Sequence, residues 1–317
     1  MGKPVLFVCG LGNDLQRAEN MSALYNAYPG EKLFISAGNH EFGNIVGSGK
    51  YDLMVIDIFP TLRPKKAIMI WHAIQGGKYI GLDEKTSYYK PEYADLMDYI
   101  VVAGRGGIDM FHQCTGVPKE KILNLGMPRT DRYIGKRKGD GKTDLAGKRA
   151  YLFAPTFRNS REPPYPPIDW DLIDRQLMDD EIFVVKAHPY GRQFDIGKHR
   201  HIIEAPKMDI SVNYLYDADV VITDYSSIIF DAYLLGKPAV LFEKEKGYVS
   251  SRGMYLKYPD EYCSRFATNE RELIHLARFA NGLKKTERDC LDYVADMCDG
   301  HSCERICKLI EEVNDNV

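Results

Sequence analysis

The stretch VVITDYSSIIFDAYLLGKPAVLF, residues 220–242, opens and closes on runs that read as buried strands, Val220-Val221-Ile222 and Pro238 to Phe242. Between them stand Thr223, Asp224, Ser226, Ser227 and Asp231. Hydroxyls and carboxylates between two core strands fit a turn from strand to helix at the rim of a parallel sheet. In open α/β sheets ligands bind beyond the carboxyl ends of the strands, near helix N-termini.

The same rhythm extends in both directions. Short, continuous apolar runs fall at Pro4–Cys9, Lys32–Ser36, Leu53–Asp57, Ala67–Trp71, Ile100–Ala103 and Ile122–Leu125. A second series follows at Ala150–Ala154, Ile182–Lys186, His201–Glu204, Val220–Thr223 and Ala239–Phe242. Runs rich in Val and Ile suit strands buried on both faces. Amphipathic stretches between them predict helices, among them Asp14–Ala27, Pro91–Tyr99, Gly107–Cys114, Ser227–Leu235 and Glu270–Ala280. The two series are separated by IGKRKGDGKTDLAG, residues 134–147, rich in Gly and Lys and poor in apolar residues. The reading is α/β: two Rossmann-like domains with parallel sheets facing a central cleft. A first Rossmann-like domain is expected over residues 1–135, a linker over 136–147 and a second Rossmann-like domain over 148–317. The last helix, Ser302–Val313, is a candidate to pack back on the N-terminal domain.

Composition narrows the function. At 317 residues the chain is long enough for two domains. With 44% hydrophobic and 27% charged residues and a net charge of -3, it carries no basic stripe of the kind nucleic acid demands. Seven cysteines, without a secretory leader at Met1-Gly2-Lys3, read as reduced thiols of a cytoplasmic protein. The sequence has no run of about 18 apolar residues that would span a membrane.

Polar clusters recur where the strands stop. Trp71-His72 is followed by Gly76-Gly77-Lys78 and Asp83. GMPRTD carries Arg129, APTFRNSR carries Thr156 and Arg158, and KAHP carries Lys186 and His188. Lys78, Arg129, Arg158 and Lys186 are cations suited to phosphate. His72 and His188 suit proton transfer or a hydrogen bond to an oxygen. Ser226 and Ser227 stand where a helix should begin, so their hydroxyls and backbone N–H groups suit an anion. Each has a plainer reading: N-cap for the serines, surface carboxylate for Asp231, turn residue for His188, loop tie for Arg129.

The set WHxxxGGK, GMPRTD, APTFR, KAHP and ITDYSSIIFDAYLLGKPAVLF, then RGMYL and DGHSCERI, resembles the CDP-glycerol glycerophosphotransferase family. These enzymes prime and polymerise teichoic acid and related capsule polymers. The resemblance runs from about residue 66 to 309 and implies the GT-B fold. It implies that His72 and His188 are catalytic. It places Arg158, Ser226, Ser227 and Asp231 on the donor side, with Lys186 and Thr223 as further donor candidates. Lys78, Asp83, Arg129 and Thr156 remain other cleft candidates. Three positions depart from the family pattern: Ala73, Ala187 and Phe157.

The implied reaction moves glycerol phosphate, or a related alditol phosphate, from CDP-glycerol to a lipid-linked or polymer hydroxyl at the inner face of the cell membrane, releasing CMP. The enzyme would attach there peripherally, with Lys136, Arg137 and Lys138 offered to the lipid. No cofactor or metal is expected, because no compact carboxylate set stands at a strand end; Asp217-Ala218-Asp219 precedes a strand and reads as a turn. One rival is a GT-B glycosyltransferase using a UDP- or CMP-sugar, with Glu243-Lys244-Glu245 meeting sugar hydroxyls. The other is a non-catalytic binding module.

Overall fold

A computed structural model describes residues 3–10, 19–77, 91–141, 143, 145, 147–156, 158, 166–189, 191–207, 209, 211–244 and 253–316. Lys78, Asp83, Phe157 and Glu245 lie outside these residues. The chain divides into two compact units, Met1–Ile134 with Asp292–Val317, and Gly135–Leu291.

The first unit holds β1 (Val5–Cys9), β2 (Lys32–Ser36), β3 (Leu53–Ile56), β4 (Lys66–Ile70), β5 (Tyr99–Val102) and β6 (Ile122–Asn124). They form one parallel sheet in the order β2-β1-β3-β4-β5-β6. The second unit holds β7 (Arg149–Phe153), β8 (Glu181–Val185), β9 (Ile202–Glu204), β10 (Val220–Thr223), β11 (Ala239–Phe242) and β12 (Phe266–Ala267). Its parallel sheet runs β12-β11-β10-β7-β8-β9. Counted from its own first strand, the second unit has the dinucleotide-binding order 3-2-1-4-5-6. The first unit starts 2-1-3, the flavodoxin-like order. The two sheets are therefore both doubly wound but not copies of one another.

Every strand read from the sequence forms, within one residue at each end. The physical reason is burial: β1, β3, β8, β10 and β11 are inside along their whole length, so each needs an unbroken apolar run. The edge strand β12 was not foreseen. It is two residues long, and Phe266 is half out in solvent. The segment Pro91–Leu96 is a 3-10 helix and stops before Tyr99, which starts β5.

The final helix, Ser302–Asp315, lies in the first unit, where Ile306, Ile310 and Val313 join Val5, Phe7, Met21, Leu24 and Val55 in one core. Two sequence motifs interlock there. Asp131 of GMPRTD accepts the Ser302 and Cys303 N–H groups at 2.9 and 2.7 Å. It thereby caps a helix whose own N-cap residue, His301, makes no side-chain cap bond. Arg305 of DGHSCERI donates back to the Leu125 carbonyl at 3.0 Å. Gly126 has φ +89, and a Cβ there would stand 2.3 Å from both the Met297 carbonyl oxygen and Ser302 Oγ. Gly126→Ala is expected to destabilise the first unit by about 2–4 kcal/mol, the sum of left-handed strain and overpacking. Urea denaturation with an unchanged midpoint would contradict this.

The segment read as a linker is bound down on the second unit. Asp217, fully buried, accepts the N–H groups of Gly139, Gly141 and Thr143 and the Thr143 hydroxyl. Burial pushes its carboxyl up, but these donors outweigh that and hold it below the usual carboxylate range. A Cβ on Gly141 would meet the Asn213 carbonyl oxygen at 1.9 Å, so only glycine allows this approach. Lys138 reaches Asp219 and the Lys148 carbonyl, and Lys136 lies 5.7 Å over the Tyr216 ring. Two of the three basic residues expected to face lipid are thus engaged with the protein itself.

Candidate functional site

In the second unit the winding direction reverses between β7 and β10, the place where doubly wound sheets bind ligands. The first residue beyond β10 is Asp224, 1% exposed. Its Oδ1 accepts the Thr156 N–H at 2.7 Å and the Tyr225 N–H at 2.6 Å. Its Oδ2 accepts Arg158 Nη2 at 3.0 Å. Arg158 Nη1 donates to the Thr156 carbonyl at 2.9 Å, and its guanidinium stands 5.9 Å from the Tyr225 ring centre. Thr223 donates to the Ala154 carbonyl at 2.7 Å. One carboxylate and one hydroxyl therefore lock the loop after β7 to the turn after β10. That turn delivers Ser226 and Ser227, both half-buried, to the start of the helix Ile228–Leu234. Ser227 is the N-cap residue by position but makes no side-chain cap bond, while the Ser226 hydroxyl accepts the Ile228 N–H at 3.5 Å. Asp231 lies in that helix at 6% exposure, which rules out a surface carboxylate.

Beyond β8, Lys186 is 2% exposed and its ammonium donates to the Lys207 carbonyl at 2.8 Å and the Ala187 carbonyl at 3.3 Å. Burial pushes its pKa down. His188 is half-buried, and its carbonyl closes a turn with the Gly191 N–H at 2.9 Å.

In the first unit His72 follows β4 and is half-buried. Its ring lies 4.5 Å from that of Trp71, which packs in turn on Phe59 and Phe111 at 5.6 and 5.7 Å. Arg129, 5% exposed, donates from Nη1 to the His72 carbonyl at 2.7 Å. Gln75, three residues on, accepts the Ala103 N–H at 3.2 Å beside the end of β5.

Arg129, Lys186 and Thr223, expected near a ligand, are each buried and donate to main-chain carbonyls. Arg158 keeps its place beside the serine turn, but its charge is matched by Asp224. The cause is desolvation: a cation at the rim of a core needs oxygen partners, and carbonyls left over at strand ends supply them. Asp224 was given no role from sequence, although a carboxylate immediately after the buried run Val220–Thr223 was the available signal. Asp57 is a second case. It follows β3, beside the reversal between β1 and β3, and accepts the Gly10 N–H at 2.7 Å and the Cys9 thiol at 3.5 Å. Burial pushes its carboxyl up.

Of the site residues read from the sequence, His72, His188, Ser226 and Ser227 are half-buried. They offer imidazole for proton transfer and hydroxyls for an anion. The family model described as CDP-Glycerol:Poly(glycerophosphate) glycerophosphotransferase matches residues 50–312. A teichoic acid poly(ribitol-phosphate) polymerase of Bacillus spizizenii is 26% identical over 307 residues, covering 84% of this chain. The chain spans only 48% of that relative's length. A teichoic acid glycerol-phosphate primase of Bacillus subtilis is 28% identical over 279 residues, covering 82% of this chain and 71% of the relative. The structure of the wall teichoic acid polymerase TagF superposes with a TM-score of 0.78 at 18% identity, over 99% of this chain and 90% of that one. This last likeness establishes the GT-B-like fold.

Proposed function

Because the chain belongs to the CDP-glycerol:poly(glycerophosphate) glycerophosphotransferase family, we propose that it transfers glycerol phosphate, or a related alditol phosphate, from a CDP-alditol to an acceptor hydroxyl, releasing CMP. The acceptor is lipid-linked or a polymer end in teichoic-acid-type synthesis. This places the enzyme in the cytoplasm, working peripherally at the inner face of the membrane. No helix among the described residues is long and apolar enough to cross a membrane.

In this reading the acceptor hydroxyl attacks the β-phosphorus of the donor. The bond from that phosphorus to the bridging oxygen breaks, and CMP leaves with the electron pair. His72 takes the hydroxyl proton. His188 and the Ser226-Ser227 turn receive the pyrophosphate, whose growing charge calls for fixed donors. Arg158 and Thr156 act through Asp224, by holding the loop after β7 beside that turn.

The observation that carries the reading is the Asp224 junction at the reversal between β7 and β10, which gathers the APTFR and TDYSS motifs into one place. The rival sugar-transferase reading rests on Glu243-Lys244-Glu245, of which Lys244 is paired with Glu270. Metal independence belongs to the proposal: Asp217 and Asp219 of the D-x-D triplet are both engaged with the 138–143 segment.

The test is a thermal-shift panel of CMP, CDP-glycerol, CDP-ribitol, UDP-glucose and UDP-GlcNAc, followed by turnover with and without EDTA. Stabilisation by the CDP-alditols is expected, about 2.7 kcal/mol at a ligand concentration one hundred times Kd, with EDTA-treated enzyme fully active. Stabilisation by UDP-sugars alone would overturn the donor class. Activity lost to EDTA and restored by Mg²⁺ would overturn the metal-free chemistry.

A further inference from the structure

The turn that carries His72 is gripped from two sides. β4 ends at Ile70, so the carbonyls of Trp71 and His72 have left the strand ladder. Both are nevertheless taken by buried side chains. Asn20, in the first turn of the helix Glu19–Ala27 and 4% exposed, donates from Nδ2 to the Trp71 carbonyl at 3.1 Å. Arg129, in the 3-10 helix Pro128–Tyr133, donates from Nη1 to the His72 carbonyl at 2.7 Å. The ring closes because the Arg129 backbone N–H donates to Asn20 Oδ1 at 3.1 Å. Glu19 lies beside it, 3.9 Å from Arg129 Nε and 2.9 Å from Arg132 Nη2.

We propose that Asn20 and Arg129 are positioning residues for His72, fixing its main chain so that the imidazole meets the acceptor hydroxyl in one geometry. The inference rests on the reading of His72 as the base. The imidazole itself packs on Trp71, whose own position the Phe59 and Phe111 rings fix. With both carbonyls tied and the ring stacked, the histidine has little freedom to drift. A misplacement on the order of 1 Å at a reacting group costs about 10²-fold in rate. Asn20 stands outside every motif that the sequence offered, and its link to His72 is visible only in three dimensions.

The experiment uses the full-length chain. Asn20→Ala and Asn20→Asp are compared with wild type by CMP release from CDP-glycerol, with an alkyl-linked glycerol phosphate as acceptor. Competent enzyme is counted by CMP binding. Asn20→Asp keeps an oxygen for the Arg129 N–H and loses only the donor to Trp71, so it carries the test if the alanine variant fails to fold. A 10- to 100-fold fall in kcat per CMP-binding site is expected, as an order of magnitude, with KM for CDP-glycerol within about two-fold of wild type. If kcat per site is unchanged in both variants while His72→Ala is inactive, the clamp is overturned and the base assignment stands. If kcat and the donor KM move together, Asn20 is a general structural residue and the clamp is again overturned. If His72→Ala keeps its activity, the reading of His72 falls and the clamp falls with it.

Discussion

His72→Ala is expected to lower kcat about 10²- to 10⁴-fold, the range for a lost general base, while CMP affinity stays within about two-fold of wild type. The separation follows from the architecture. His72 stands at the end of β4 in the first unit, whereas the Asp224 junction and the serine turn are built wholly within the second. Removing one imidazole breaks no bond of that junction. Titration with CMP reads the second unit, and CMP release under saturating donor reads the base. An alanine variant with wild-type turnover would show that the acceptor proton leaves by another route. A variant that loses CMP affinity as well would show that the two functions are not separable in this way.

The second large effect concerns Asp224. Asp224→Ala strands the Arg158 guanidinium, 6% exposed, without its carboxylate, and leaves the Thr156 and Tyr225 N–H groups without the Asp224 acceptor. Breaking one half of a buried ion pair costs about 3–5 kcal/mol. The loop after β7 would also come away from the serine turn, so donor binding should be lost along with stability. Asp224→Asn retains an amide oxygen for the Thr156 and Tyr225 N–H groups but turns an NH2 donor toward Arg158, losing the charge and the acceptor there, so it should fall between wild type and alanine on both scales. Urea denaturation followed in the second unit, together with CDP-glycerol titration, orders the three proteins. An alanine variant with an unchanged midpoint and unchanged donor affinity would remove Asp224 from the site.

The strands were legible because a parallel sheet covered on both faces demands unbroken apolar runs, and β1, β3 and β11 supply them without interruption. Sheet order was not legible. Nothing local in β3 or β10 says that one follows 2-1-3 and the other 3-2-1-4; crossovers decide that. The positions of the polar clusters were legible at strand ends, but the duties of the cations were not. Arg129 finds its carbonyl 57 positions away and Arg158 its carboxylate 66 away. A sequence shows that such a charge is near the rim of a core without showing which oxygen neutralises it. Lys186 is the clearest case: the KAHP motif gives a lysine, and the fold turns its ammonium onto Lys207.

The place of the helix Ser302–Asp315 bears on how the protein comes into being. Ile306, Ile310 and Val313 complete a core whose other side is Val5, Phe7 and Val55. During synthesis those strands must wait for nearly the whole chain to emerge before their apolar face is covered. The unit Gly135–Leu291 has no such debt to later sequence. Every residue of that unit is made before Asp292, whereas the first unit needs residues made after Leu291.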